Sequence, residues 1–357
     1  MLHEARITER KVPFFGFGNM GEHMQENVKV AVDAMGGDNS PGEVVKGAVE
    51  AVMERAEVEV FLTGPEDTVL AELSKYTYPK ERIHVVNAEE VITNDEAPVL
   101  AIRRKKNSSI VVALGLVKNG EADAFVSAGS TGAVLVGAQL IVGRIKGVER
   151  PPLAPLIPTM DGISLLIDCG ANVDARPSHL LQFAKMGSIY MENVVGVKNP
   201  RVAIVNIGVE EEKGNMLVKE TFPLLKACKE INFIGSIEAR EIPNGAADII
   251  VAEAFVGNVI LKLYEGLSMA LIKKIKGSMT ATPLSTFGAA LVKPQLKKTL
   301  QGFDLSQYGG APMLGLKGLV VKSHGSSKSN EIKNSIIQCI AFKSEKISEK
   351  IAANIEN

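Results

Sequence analysis

The chain has 357 residues, 46 % of them apolar and 23 % charged, and a formal net charge of −1. That size allows a large buried core in one or two domains, and the near-neutral balance excludes the broadly basic surface expected of a nucleic-acid binder. Cys169, Cys228 and Cys339 are scattered, without metal-ligand spacing, which excludes a disulfide framework and fits a reducing, cytoplasmic setting.

Residues 1–27 are mixed in charge, lack a hydrophobic period and are expected to form a flexible extension. They contain a literal G-x-G-x-x-G at 16–21. A strand begins at Val28, which leaves no room for the helix a dinucleotide fingerprint requires. Residues 28–33 read as that strand, and Ala34-Met35-Gly36-Gly37-Asp38 as its turn. Ser40, Pro41 and Glu43 spell a capping box with proline at the first helical position, predicting a helix from Pro41 to about Arg55. Further strands are expected at 58–63 and 83–86. Residues 94–119 read as helical, with Ser108 or Ser109 able to cap the second part. The basic run Arg103-Arg104-Lys105-Lys106 is either a solvated helix end or a contact for an anion or an acidic protein.

Residues 123–133 read DAFVSAGSTGA, an apolar strand, a turn of small residues, then an apolar helix. Strand, glycine turn and helix are how α/β proteins hold an anion, because the first helical N–H groups and the helix dipole face the turn. Gly129 and Gly132 let backbone approach a ligand, and Ser127, Ser130 and Thr131 supply hydroxyls. The alternative is a tight βα turn packed on its neighbours. The turn matches no nucleotide motif.

Residues 153–159 and 163–168 form a predicted hairpin around Asp161-Gly162. Cys169-Gly170-Ala171-Asn172 is the next glycine turn. Helices are expected at 178–191 and up to about 229, strands at 201–207, 231–234, 248–251 and 318–322, and a last helix from about Ser329. The turns MGGD, SAGSTG, CGAN, GVEEEKG and HGSS all follow strands. In one open, mostly parallel sheet they would gather at the carboxyl ends of the strands and build a single cleft. Residues 254–301 break this rhythm with two helices and no strand. Lysines flank a modestly apolar tip, a pattern for dimer contact or for an anionic membrane surface.

The motifs now resemble a known family. Val32-Asp33-Ala34-Met35-Gly36-Gly37-Asp38 with Pro41 resembles the N-terminal signature of the bacterial phosphate acyltransferases. The similarity continues through Arg104-Lys105-Lys106, residues 120–132, Asp168 with Gly170-Ala171-Asn172, Gln182-Phe183, Asn206-Ile207-Gly208, Tyr308-Gly309-Gly310-Ala311-Pro312 and His324-Gly325-Ser326-Ser327. It covers the chain from Val28 to the last helix, about residues 28–349. One departure is Glu253-Ala254 before Phe255-Val256-Gly257-Asn258, where the family has Asp-Gly.

The resemblance implies a three-layer αβα fold with a mostly parallel sheet, like phosphotransacetylases and isocitrate/isopropylmalate dehydrogenases, plus a protruding helical hairpin over 254–301. It also implies a homodimer, and transfer of a long-chain acyl group from acyl carrier protein to inorganic phosphate. The acyl phosphate would feed a membrane acyltransferase that acts on glycerol 3-phosphate. Phosphate is its own nucleophile, so no triad is needed. The enzyme must position it and stabilise the developing oxyanion.

The residues expected to do this are the 127–132 turn with Ser326 for phosphate, and Lys105 or Lys106 for its charge. His324 would polarise the carbonyl or protonate sulfur. Asn172 would be an oxyanion donor, or else a helix cap. Asp33, Gly36, Gly37, Asp38, Glu210 and Lys213 are expected to line the cleft. The two aspartates would otherwise be turn formers, and Glu210 and Lys213 a surface turn. No metal or cofactor is expected. Local basic runs suit an acidic carrier protein, and no nucleic acid is expected. Competing readings are a short-chain phosphotransacetylase using acyl-coenzyme A, a membrane scaffold, and a dehydrogenase.

Overall fold

The computed structural model describes residues 27–301 and 305–355. All but the last residue of the expected extension, including its glycine motif, lies outside the described residues. The first unit runs β1 (Val28–Asp33), α1 (Gly42–Glu54), β2 (Val58–Gly64), α2 (Glu66–Leu73), β3 (Ile83–Asn87), α3 (Pro98–Arg104), α4 (Ser109–Lys118), β4 (Ala124–Ser127) and α5 (Thr131–Gly137). The second runs β5 (Leu156–Thr159), β6 (Gly162–Ile167), α6 (Pro177–Tyr190), β7 (Arg201–Asn206), α7 (Met216–Ala227), β8 (Asn232–Glu238) and β9 (Ile249–Val251). The hairpin helices α8 (Ala254–Met279) and α9 (Pro283–Gln301) follow. The chain then returns to the first unit with β10 (Ala311–Met313), β11 (Leu319–Lys322), α10 (Ser329–Ser344) and α11 (Ile347–Ile355).

Two mostly parallel sheets replace the single sheet expected from the strand pattern. Their orders are β10-β11-β4-β1-β2-β3 and β5-β6-β9-β7-β8. The first sheet is covered on both faces, which is why its strands read as near-continuous apolar runs. Val30, Val32 and Val126 point into a core shared with α1 and α10, and Ala31, Phe125 and Val320 into one shared with α4 and α5. The sheets are stitched where β10 also bridges the approach to β5, with Leu153 opposite Met313. The turns after β1, β4 and β11 belong to one sheet, and those after β6 and β7 to the other.

Other differences have local causes. The capping box does not form. Ser40 Oγ donates to the carbonyls of Met35 and Gly37, and Glu43 accepts from the Ser329 N–H at the start of α10 (2.7 Å). The helix expected over 94–119 breaks between Lys105 and Ser108, whose hydroxyl caps α4. The last helix is interrupted at Lys346, where φ is +50°. Strand β10 was hidden by Pro312, tolerated because β10 is an edge strand. The predicted hairpin β5–β6 is present, with Leu156 opposite Leu165.

Candidate active site

Three turns of the first sheet interlock. Parallel pairing sets Lys322 opposite Ser127 and carries the chain from β11 alongside the β4 turn, with the Ser323 N–H on the Ser127 carbonyl (2.9 Å). The Asp38 N–H donates to the Gly325 carbonyl (2.8 Å), and the Asn39 amide to those of Ser326 and Ser327. Contact is close enough to demand glycine. A Cβ on Gly36 would stand 2.5 Å from Asp33 Oδ2 and 2.7 Å from the Gly129 nitrogen. MGGD, SAGSTG and HGSS thus form one site, as the strand pattern implied.

Beneath the turns lies a buried polar cluster. Asp33 Oδ2 accepts from Ser127 Oγ (2.7 Å), Oδ1 from the Met35 N–H (3.2 Å), and Ser127 Oγ accepts from the Gly129 N–H (2.9 Å). Burial raises the Asp33 carboxyl above the usual carboxylate range, opposed by hydrogen bonds from Ser109 and Ser127. Lys322, at the end of β11, is also buried. Its ammonium donates to the Ser323 carbonyl, and no carboxylate forms an ion pair with it among the described residues. Burial pushes it down to about 8, against the attraction of Asp33. Further along the β4 turn, Ser130 Oγ caps α5, and the N–H groups of Ser130, Thr131 and Gly132 open that helix with no carbonyl four residues back to bond. Ser327 Oγ is buried without a hydrogen-bond partner among the described residues.

His324 lies at the rim, half exposed. Nδ1 is 2.8 Å from Ser326 Oγ, and Nε2 is 3.3 Å from Lys262 Nζ of α8. Burial, then the Lys262 charge, lowers its pKa, so the ring is neutral at neutral pH. Nδ1 also accepts from the Ser326 backbone N–H (3.2 Å), so a donor faces each ring nitrogen. Both His324 and Ser326 also line the mouth of a groove of about 850 Å³ between α8 and α9.

Other expected site residues are engaged elsewhere. Lys105 Nζ is bound by Glu96 and the Val91 carbonyl, both at 2.7 Å, so in this arrangement it balances Glu96 and not an anion. Asn172 spends both amide protons, on Asp168 Oδ2 (2.8 Å) and the Pro151 carbonyl (3.0 Å), leaving none for an oxyanion. Nor does it cap a helix, since α6 begins after Arg176. Glu210 and Lys213 face each other at 4.0 Å on an exposed turn of the second sheet. Gly132 is needed for packing, because a Cβ there would meet Pro98 at 2.6 Å. Glu253 caps α8, accepting from Phe255 (2.6 Å) and Val256 (3.0 Å), a role open to either acidic side chain.

Sequence reasoning missed Lys322, Ser323 and Lys262. The signal for Lys322 was a lysine ending an otherwise apolar strand beside a glycine turn, and it reads equally well as an exposed end.

A family model described as "Fatty acid synthesis protein" matches residues 28–350. The Clostridium acetobutylicum phosphate acyltransferase is 50 % identical over 327 residues, 92 % of this chain and 98 % of that protein. The Clostridium beijerinckii phosphate acyltransferase is 52 % identical over 316 residues, 88 % and 95 % of the two chains. The chain belongs to the phosphate acyltransferase family. Members of this family are acyltransferases, and this chain is one. Among solved structures, a phosphotransacetylase from Streptococcus pyogenes superimposes with a TM-score of 0.62 at 19 % identity, covering 89 % of this chain and 94 % of that one. A Staphylococcus aureus phosphotransacetylase gives 0.58 at 18 %, covering 88 % and 94 %. Both confirm the three-layer α/β architecture.

Proposed function

We propose that the enzyme moves a long-chain acyl group from acyl carrier protein to inorganic phosphate, by direct attack and without an acyl-enzyme. The observation that carries this reading is the buried Lys322 ammonium at the end of β11, which pairs with β4 where the turn into α5 begins. A dianion seated there would gain a charge partner and fixed dipoles in a partly desolvated place. Asp33, through Ser127 and its own charge, keeps this cluster in position. A phosphate oxygen attacks the thioester carbonyl carbon, the C–S bond breaks, and the sulfur leaves as a thiolate that takes a proton. Neutral His324 at the rim suits a hydrogen bond to the carbonyl oxygen, or acceptance of the proton that the attacking hydrogen phosphate loses, which the imidazolium then passes to the leaving thiolate. The thiolate is a good leaving group, so acid catalysis is an aid and not a requirement.

Exposed Arg103 and Arg104 and the lysines of α8 and α9 suit an acidic carrier protein. The outer face of α8, with Phe255, Leu263 and Leu267 exposed, suits a second subunit or an anionic membrane.

Thiol release from palmitoyl carrier protein, with and without phosphate and with hydroxylamine trapping, tests the reaction. Phosphate-dependent release with trapped acyl hydroxamate is expected. Turnover confined to acetyl-coenzyme A would instead make this a short-chain phosphotransacetylase. Reversing the charge of Arg103 and Arg104 together should raise the KM for carrier protein about tenfold at low salt and leave the KM for phosphate in place. Equal KM values for carrier protein would remove this docking surface.

A further inference from the structure

Attack on a thioester needs a donor for the carbonyl oxygen that becomes negative. The side chains expected to serve the reaction from elsewhere are occupied. Asn172 has spent both amide protons, and Lys105 is held by Glu96. Lys262 stands at the rim instead. It lies near the start of α8, which follows β9, so the second unit carries this cation to the turns of the first sheet. Its ammonium donates to Glu265 Oε2 (2.8 Å) and lies 3.3 Å from His324 Nε2. An ammonium has three N–H groups, and among the described residues the third meets no acceptor. The side chain is half exposed on a long flexible stem. Its charge reaches both His324 and the buried Lys322.

His324 is over-supplied with donors. The Ser326 backbone N–H faces Nδ1 and Lys262 faces Nε2, whereas a neutral imidazole accepts at one nitrogen only. The backbone donor is fixed by its turn, so Lys262 is the one able to swing away. Resting on the transferase reading above, we propose that Lys262 is a catalytic residue, an ammonium that donates to the thioester oxygen as negative charge develops there. A phosphate oxygen bonds to the carbonyl carbon, the C=O electron pair moves onto oxygen, and the Lys262 N–H meets that charge. As Lys262 turns from the ring, Nε2 is released to accept the proton of an attacking hydrogen phosphate. The carbonyl then re-forms, the C–S bond breaks, and the imidazolium gives this proton to the departing thiolate. Lys262 itself stays protonated throughout.

The test compares full-length wild type with Lys262→Met and Lys262→Arg, using palmitoyl carrier protein and phosphate. Lys262→Met is expected to lower kcat about 100-fold, the scale of one lost oxyanion donor, with little change in either KM. Lys262→Arg keeps a charged donor and should recover about tenfold of that loss. The charged groups facing His324 are Lys262 and Glu265 from α8, Lys322 from β11 and Asp38 from the β1 turn. Removing the Lys262 charge removes a repulsion that keeps the ring neutral. The His324 titration followed by NMR, and the acid limb of kcat/KM, should therefore move to higher pH in Lys262→Met and stay in place in Lys262→Arg. Folded Lys262→Met with the kcat of wild type would overturn the proposal, and so would an unmoved titration. A kcat loss that tracks dimer mass or the folded fraction would make Lys262 a structural contact of α8. A change confined to the KM for carrier protein would make it a docking lysine, and either result sinks the catalytic role. Failure of the transferase reading looks different, because wild type would then form no acyl phosphate from any thioester while the titration shift persisted.

Discussion

Each sheet buries an aspartate at the end of an interior strand and follows it with glycine, yet the two sites differ in what is left over. Asp168, after β6, is spent. Oδ1 accepts from the N–H groups of Leu153 (3.0 Å) and Ala171 (3.2 Å), and Oδ2 from the backbone and side chain of Asn172 (both 2.8 Å). Burial raises its pKa, and those four donors pull it back. Asp33, after β1, feels the charge of the buried Lys322, and the neighbouring β11 turn holds the Ser327 hydroxyl, which has no hydrogen-bond partner among the described residues. The same local pattern therefore gives a joint in one sheet and a receptive site in the other. What separates them is donor capacity left unspent after folding.

The sharpest way to break the joint is Gly257→Ala. The first turn of α8 presses on the Asp168 carbonyl, and an added Cβ would lie 1.9 Å from that oxygen. Overpacking of this kind costs about 3 kcal/mol or more, so denaturant melts should show loss of the cooperative transition or a large drop in its midpoint.

Lys322→Met tests the receptive side. It should lower kcat/KM for phosphate about 100-fold, the scale of losing one charge-stabilising donor. Stability should hold or rise, because a desolvated cation is removed. A destabilised protein with intact phosphate kinetics would make Lys322 another joint. Its pH signature is distinctive. The folded-state value, about 8, lies below the ordinary 10.5. Between these values the unfolded chain holds a proton that the folded chain has released, so stability rises with pH across that window. Phosphate affinity falls there as the ammonium discharges. A melting midpoint and a phosphate KM that both rise across the window are the expected pair, and both rises should vanish in Lys322→Met.

Asn172→Ala should cost about 2 kcal/mol by unpairing buried groups, with activity lost in step with the folded fraction. A kcat loss in fully folded protein would return Asn172 to the chemistry. The smallest effect expected is at His324. Replacement by alanine should lower kcat about fivefold, since proton transfer to a stable thiolate is a modest demand. Unchanged turnover would remove it from the reaction.

Much of this was legible in the residues. The strands β1, β4 and β7 are apolar runs bounded by glycine turns, and local composition sufficed to find them. The alignment of the β1, β4 and β11 turns followed from parallel pairing. The remainder depended on distant partners. Nothing near Lys322 in sequence signals that register with Ser127 will bury it. Nothing near Glu43 signals that its carboxylate serves α10 and not its own helix. Lys105 and Asn172 looked available because the groups that occupy them, Glu96 and Asp168, compete only once the chain is folded. The division into two sheets was equally nonlocal, set by which strands the return through β10 and β11 adopts.

That return has a consequence for synthesis. The second sheet is one uninterrupted stretch, β5 to β9, and every partner it needs has emerged once Val251 is made. The first sheet is begun by β1 and closed only by β11, and the Glu43 carboxylate waits for Ser329. Pairing across such a separation is slow and leaves strand edges unpaired meanwhile. On the ribosome the later half should therefore mature first, and the pocket that would hold phosphate should be among the last parts assembled.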